Sequence, residues 1–278
     1  MVVVKIGDGL GNQMFNYACG YSVAKHDGDT LLLDTSEVDN STLRSYGLDK
    51  FNIEYKDRES FSNRNFFCKL YKRLRRNLKY NVISERRDEA CPRDMTVYKK
   101  KLIRNKYLYG YFQNLVYLDN CLDDIRRQFT PSKPFSERAG ELIRQLESGE
   151  TCSVHIRGGD IEPLPYAYYE KAVADILKKN GKVRFIFFSN VRELTESYKK
   201  QLNIDAVSVW ELGDFTDIEE LFLMKACKSH ILSDSTFARW AALLDDKGGQ
   251  VCAPYSVDAG KIYRPEWNMI DYRNEEAI

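Results

Sequence analysis

The sequence predicts an α/β fold with a parallel, doubly wound sheet, in a chain long enough for two domains of similar size. Three observations carry this. In the second half, short apolar runs alternate with helical patterns, five strands with four helices. The amino terminus opens in a related way, as strand, glycine loop, helix and strand. Between the halves, Thr130-Pro131-Ser132-Lys133-Pro134 sets two prolines among small polar residues, which discourages a continuous element and marks a linker. The predicted domains are residues 1–132 and 133–278.

Taken in order, residues 2–6 are short and β-branched, and Gly7, Gly9 and Gly11 break the run. Residues 14–24 carry small and apolar side chains at helical spacing, and residues 30–33 form a second apolar run. From residue 38 to about 106 the pattern is irregular, polar and aromatic, with one predicted helix over 66–78. The second half is far more regular. Strands are predicted over 151–156, 183–188, 206–210, 230–232 and 250–253, and helices over 166–179, 192–202, 218–227 and 237–244.

Composition narrows the classes. The 278 residues are 43% hydrophobic and 30% charged, enough apolar material for packed cores. Lys plus Arg number 42 against 41 Asp plus Glu, and a net charge of +1 excludes a global field suited to gripping nucleic acid. A local exception is residues 69–79, where Lys69, Lys72, Arg73, Arg75, Arg76 and Lys79 crowd together. A solvated helix face and a surface for an anionic glycolipid or membrane both fit that stretch. Seven scattered cysteines without a C-x-x-C pair suggest neither a disulfide framework nor a zinc ribbon. Free thiols, an apolar start too short for a signal peptide and no run of membrane-spanning length point to the cytoplasm.

In open α/β sheets, ligands bind beyond the carboxyl ends of the strands. Three predicted strands end in polar clusters: His155-Ile156-Arg157-Gly158-Gly159-Asp160, Ser189-Asn190 and Ser233-Asp234-Ser235-Thr236. A parallel sheet brings all three to one edge. Their chemistry suits a nucleoside diphosphate. Arg157 offers a forked, permanently charged donor. Ser235 and Thr236 open a predicted helix, where hydroxyls and unpaired N–H groups meet an anion. Gly158 and Gly159 let the backbone approach closely, and Asp234 or Asn190 could read the edge of a base. Each cluster alone also fits a structural ion pair or a plain helix cap.

A metal is not expected. The histidines, His26, His155 and His230, lie far apart. Asp27-Gly28-Asp29 has a D-x-D form, but it precedes an apolar strand rather than ending one and reads as a turn. The first loop, Gly7-Asp8-Gly9-Leu10-Gly11-Asn12, invites comparison with a dinucleotide site, and Asp34 stands where a ribose-binding carboxylate would. The fingerprint G-x-G-x-x-G fails at Asn12.

These residues resemble a known family. Gly9-Leu-Gly-Asn-Gln-Met-Phe15 followed by Asn16-Tyr17-Ala18 is similar to the amino-terminal signature of the alpha-1,2-fucosyltransferases. His155-Ile-Arg-Gly-Gly-Asp160 resembles their H-x-R-R-x-D donor motif, and Leu164-Pro-Tyr-Ala-Tyr-Tyr-Glu-Lys-Ala172 the stretch after it. Phe187-Phe-Ser-Asn190, residues 221–228 with Ser233-Asp-Ser-Thr-Phe237, and Tyr109-Gly-Tyr-Phe-Gln113 resemble further family segments, all in the right order.

The resemblance implies a GT-B fold, two Rossmann-like domains facing across a cleft. The first would hold the acceptor and the second the GDP-sugar. It implies inverting transfer of L-fucose from GDP-β-L-fucose to a galactoside, in α-1,2 linkage, with no metal and no cofactor beyond the donor. Arg157 would clasp the diphosphate, His155 would contact the nucleotide, and Ser235 and Thr236 would bind phosphate. Asn12 matches an asparagine implicated in catalysis in related protein O-fucosyltransferases. Asp160 is a candidate general base or a loop holder, beside Glu162 and Asp8. Three positions depart from the pattern. The second arginine of the donor motif is Gly158 here, and the acidic pair after Phe-Ser is Asn190-Val191. In N-S-T-F-x-W-W, Asp234 and Arg239 are the changed residues. Two other classes therefore stand beside a fucosyltransferase: a GDP-sugar- or carbohydrate-binding protein with little turnover, and an NAD(P) oxidoreductase.

Overall fold

The computed structural model describes residues 1–59, 80–85, 96–98, 105–159, 161–256 and 259–273. The basic stretch at 69–79, the helix predicted over 66–78 and Asp160 lie outside the described residues. The chain divides into two compact units, Met1–Ser132 and Lys133–Ile278.

The first unit is built on β1 (Val2–Lys5), β2 (Leu31–Asp34), β3 (Asp57–Glu59), β4 (Asn81–Glu85) and β5 (Lys106–Gly110). All pair in parallel, in the order β3-β2-β1-β5-β4. Because β1 is central it is covered on both faces, which is why Val2, Val3 and Val4 run consecutively and are all buried. Helix α1 (Leu10–Asp27) packs on β1 and brings Met14, Phe15, Tyr17 and Ala18 into the core. The approach is close: a Cβ on Gly20 would lie 2.6 Å from Val4 Cγ1. The helix begins four residues before its expected start, with Gly9 as N-cap and Gly11 buried in the first turn. Glycines that read as breakers are here the entry to a tightly packed helix. Strands β3 to β5 escaped the sequence reading because Asp57-Arg58-Glu59 and Asn81 to Glu85 alternate little and carry polar residues.

The second unit holds β6 (Thr151–Ile156), β7 (Arg184–Ser189), β8 (Ala206–Ser208), β9 (Ser229–Ile231), β10 (Val251–Pro254) and β11 (Asn268–Ile270). They too are all parallel, in the order β11-β10-β9-β6-β7-β8, which is the doubly wound dinucleotide-fold order. The helices Tyr166–Asn180, Arg192–Leu202, Asp217–Ala226 and Thr236–Leu244 lie between strands as expected. The core joins Val154, Ile156, Tyr168, Tyr169, Phe185, Phe187 and Ile231. Elements beyond those expected include β11 and the helix Glu137–Ser148, which buries Ala139, Leu142 and Leu146 and is capped by Ser136. The strand expected over 206–210 stops at Ser208, where a capping box with Glu211 starts the turn Val209–Leu212.

Each sheet has a switch point. After β1 the chain leaves through α1 to β2 on one side, while β5 pairs on the other. After β6 it leaves to β7, while β9 pairs on the other side. Diverging loops open a crevice at the carboxyl ends of such strand pairs.

Candidate functional site

The crevice of the second unit lies where β6 and β9 end side by side. From β6 come His155, Arg157, Gly158 and Gly159; from β9 come Ser233, Asp234, Ser235 and Thr236. His155 is buried, 8% exposed, and its Nδ1 is hydrogen-bonded to Ser233 Oγ at 2.7 Å, tying the two strand ends together. Burial, and then the charge of Arg157, pushes the imidazole down to about 3. The ring is therefore neutral at physiological pH, a hydrogen-bonding group beside the half-buried Arg157. The hydroxyl of Tyr169 holds the His155 carbonyl at 3.2 Å.

Helix Thr236–Leu244 starts at this edge with Ser235 as N-cap, in extended backbone, and the Ser235 side chain makes no capping bond. Ser235 and Thr236 are half-buried, and their hydroxyls and the first-turn N–H groups stand together at a helix terminus, an arrangement that suits an anion. Asp234 is exposed at the mouth. Arg239 on the same helix is only 3% exposed. Beside it the phenol of Tyr263 is pushed up by burial, with the Arg239 charge acting against and the Asp234 charge with that shift.

Asn190, after β7, is exposed and bonds the loop after β6. Its Oδ1 accepts from the Gly158 N–H at 3.2 Å and its Nδ2 donates to the Gly158 carbonyl at 2.7 Å. Both ends of the amide that was expected to read a base are engaged by the loop. Residues missed by sequence reasoning sit at the neighbouring strand ends. The Arg192 guanidinium lies 5.3 Å from the ring centroid of Trp210. Glu220, half-buried in the first turn of Asp217–Ala226, has its carboxyl pushed up to about 7, by burial first and then by Asp217, against the pull of Arg192. An acidic first turn is too common a feature to have singled out Glu220.

The crevice of the first unit is lined by amides. Asn16, 3% exposed, accepts from the Gly7 N–H at 3.2 Å and donates to the Gly110 carbonyl at 2.7 Å, joining the ends of β1 and β5. Gln13, 1% exposed, donates to the carbonyls of Asp8 and Ser45, both at 2.8 Å, and accepts from the Gly47 N–H. This holds Asp8 at φ 60, an unusual conformation for a residue with a Cβ. Asn12 is half-buried and receives Gln113 Nε2 on its Oδ1 at 2.9 Å.

Two alternatives lose their residues. Asp34, the would-be ribose carboxylate, is 2% exposed and accepts from the Ser36 N–H at 3.0 Å and from the Tyr107 hydroxyl. Asp27 pairs with the buried Lys106 at 2.6 Å, and Asp29 binds the amino terminus and the Thr30 N–H. Among the described residues, no three His, Cys, Asp or Glu side chains gather as a metal set. No described helix is long and apolar enough to cross a membrane.

Over residues 1–271 the chain matches the model of glycosyl transferase family 11. It is 28% identical over 263 residues to the alpha-1,2-colitosyltransferase of Escherichia coli, covering 88% of this chain and 87% of that one. It is 29% identical over 273 residues to the O-antigen biosynthesis glycosyltransferase WbnK of Escherichia coli, covering 86% and 89%. Among solved structures, the fucosyltransferase NodZ from Bradyrhizobium superposes with a TM-score of 0.55 at 15% identity, covering 87% of this chain and 91% of that one. The FUT1 protein of Arabidopsis thaliana in complex with GDP superposes with a TM-score of 0.54 at 13% identity, covering 98% and 77%. At such identities the similarity shows the fold, the GT-B type with two parallel-sheet α/β units. With a family model matched across nearly its whole length, the chain belongs to glycosyl transferase family 11.

Proposed function

We propose that this glycosyltransferase is an inverting α-1,2-fucosyltransferase that moves L-fucose from GDP-β-L-fucose to a hydroxyl of a galactose-containing glycan, without a metal. One observation carries the reading: at the ends of β6 and β9, a forked cation, a neutral imidazole, two hydroxyls and a helix N-terminus converge. A nucleoside diphosphate has the complementary chemistry. Departure of GDP develops negative charge on the diphosphate, and preorganised donors that meet it lower the barrier. Arg157 grips the diphosphate oxygens, Ser235, Thr236 and their N–H groups bind phosphate, and His155 bonds the nucleotide as a neutral ring. Asp234 meets donor hydroxyls at the mouth, and Asp160 is the candidate base or loop holder. At the ends of β7 and β8, Glu220, Arg192 and Trp210 offer a carboxylate, a cation and a ring to a base. Asn12 works on the acceptor side.

Structures of NodZ co-crystallised with GDP and soaked with GDP-fucose support a GDP-linked donor. The colitosyltransferase relative supports an α-1,2 linkage and names a second sugar to compare. Product formation should therefore be measured from GDP-fucose and GDP-colitose over a panel of galactosides, with the linkage read by NMR. GDP-fucose is expected to give the larger kcat/KM. Preference for GDP-colitose would replace the sugar, folded protein that binds GDP without transfer would make this a binding protein, and absence of GDP binding would remove the donor site.

A further inference from the structure

We infer that Asn190 is a positioning residue, which holds the loop presenting Arg157 by bonding both the Gly158 N–H and the Gly158 carbonyl; this rests on the donor-site reading above. The clamp is the pair of bonds between the Asn190 amide and Gly158 N–H and carbonyl, 3.2 and 2.7 Å. Only a side chain with an acceptor and a donor on one planar head can make it. An aspartate, all acceptor, would face the Gly158 carbonyl with like charge.

The clamp has its own foundation. The Val191 N–H donates to Ser189 Oγ at 2.9 Å, and the Val191 carbonyl accepts from Thr195 Oγ1 at 2.8 Å, so the Asn190-Val191 turn is fixed to the start of helix Arg192–Leu202. Val191 then closes the far side of the loop. A Cβ added at Gly158 would lie 3.1 Å from both Val191 methyl carbons, and one at Gly159 would lie 3.3 Å from Asn190 Nδ2. Gly159 also stands at φ 87, where a side chain is strained. The loop thus reaches Arg157 from helix Arg192–Leu202 through Val191, Asn190 and Gly158, with no charged side chain in the chain of contacts. Two positions that depart from the resembled motifs, Gly158 for arginine and Asn190-Val191 for an acidic pair, touch each other. They are one coupled change: where the resembled motifs carry an arginine and an acidic pair, this chain has an amide clamp and an apolar contact. An arginine restored at 158 alone meets Val191.

The test is a mutant cycle read as GDP affinity by calorimetry, with thermal unfolding and transfer kinetics on every variant. Asn190→Ala and Asn190→Asp are each expected to weaken GDP about tenfold, the loss expected for two backbone hydrogen bonds. In an Arg157→Ala background the same substitution should change affinity less than about twofold, because Asn190 acts through Arg157. Gly158→Ala should weaken GDP, and Val191→Ala added to it should recover most of the loss. Losses that multiply in the Arg157→Ala/Asn190→Ala variant would make Asn190 an independent ligand contact, overturning the clamp while the donor site stands. So would unchanged affinity in folded Asn190→Ala or Asn190→Asp. Unchanged affinity in folded Arg157→Ala overturns the donor site and the clamp together.

Discussion

At the end of β1 the crevice-lining side chains are amides; at the end of β6 they are a guanidinium, an imidazole and hydroxyls. The position in the fold is the same, a central strand and its late-arriving neighbour, so the sheet does not choose the ligand. The loops do. In the first unit Gln13 and Asn16 are committed to backbone groups, and Asn12 is joined through its Oδ1 to Gln113. In the second unit the side chains of His155 and Ser233 bond each other, Asn190 holds the Gly158 backbone, and the charge lies with Arg157 and a helix N-terminus. Neutral amides suit the hydroxyls of a sugar, and a cation beside a helix terminus suits a diphosphate.

The largest expected effect tests the charged side of this contrast. Arg157→Ala should abolish detectable transfer and weaken GDP ten- to a hundredfold, since a charge-assisted hydrogen bond is worth roughly 1.5–3 kcal/mol. Arg157→Lys keeps the charge and loses the fork, so a small residue of activity should survive. Calorimetry with GDP beside kinetics measures both. The amide side is tested by Asn12→Ala, for which kcat should fall about fivefold, one good hydrogen bond being worth roughly 1 kcal/mol, with GDP affinity unchanged. Equal losses in GDP affinity for Asn12→Ala and Arg157→Ala would dissolve the division of labour.

The second sheet was legible in the sequence because its strands are buried on both faces and its helices are amphipathic, so each element carries its own period. The polar residues at the strand ends were legible for the same reason, as they begin where the apolar runs stop. Asn190 was visible as a site residue, yet its role was not, because a clamp exists only once β6 and β7 pair. Gly158 looked like the loss of a charge when read alone; against Val191 it is a tight fit, with a Cβ there 3.1 Å from both methyl carbons. The first sheet was obscured by short polar strands such as Asp57–Glu59, whose pairing with β2 lies in the backbone rather than in a side-chain pattern.

Two titrations sharpen the contrast at smaller amplitude, both in the second unit. His155 has a folded value depressed to about 3 from 6.5. Its stabilising contribution is complete above pH 6.5 and is lost as pH falls toward 3. Wild type should lose stability over that window relative to His155→Gln, measured as the difference in Tm. Glu220 runs the other way, from 4.5 up to about 7. Its contribution is complete below pH 4.5 and lost as pH rises through 7, so Glu220→Gln should gain stability at pH 8 and none at pH 4. Half-buried as it is, screening leaves a gain of about 1 kcal/mol. A Glu220→Gln gain at pH 4 as large as at pH 8 would show that the carboxyl does not titrate in this window.

The smallest expected effect is none: transfer should survive excess EDTA. The sequence offers one metal-like pattern, Asp27-Gly28-Asp29, and the fold gives both carboxylates other work. Asp27 is ion-paired with Lys106, 2% exposed, at 2.6 Å. Desolvation works against its charge, yet its hydrogen bonds to Lys106 and His26 leave the carboxyl below its ordinary value. Removing it would strand a buried ammonium group, which is why Asp27→Asn should cost stability rather than turnover. Asp29 binds the amino terminus and the Thr30 N–H, and Asp29→Asn should be nearly silent in both. Both residues stand before β2, at the amino ends of the strands, while the two crevices open at the carboxyl ends. A divalent ion held there would lie at the edge of its own sheet opposite the crevice. The assay compares initial rates in EDTA with rates after added manganese or magnesium. A rate that collapses in EDTA and returns with manganese, and that Asp29→Asn also lowers, would restore the metal and shift the charge-neutralising role away from Arg157 and the terminus of Thr236–Leu244.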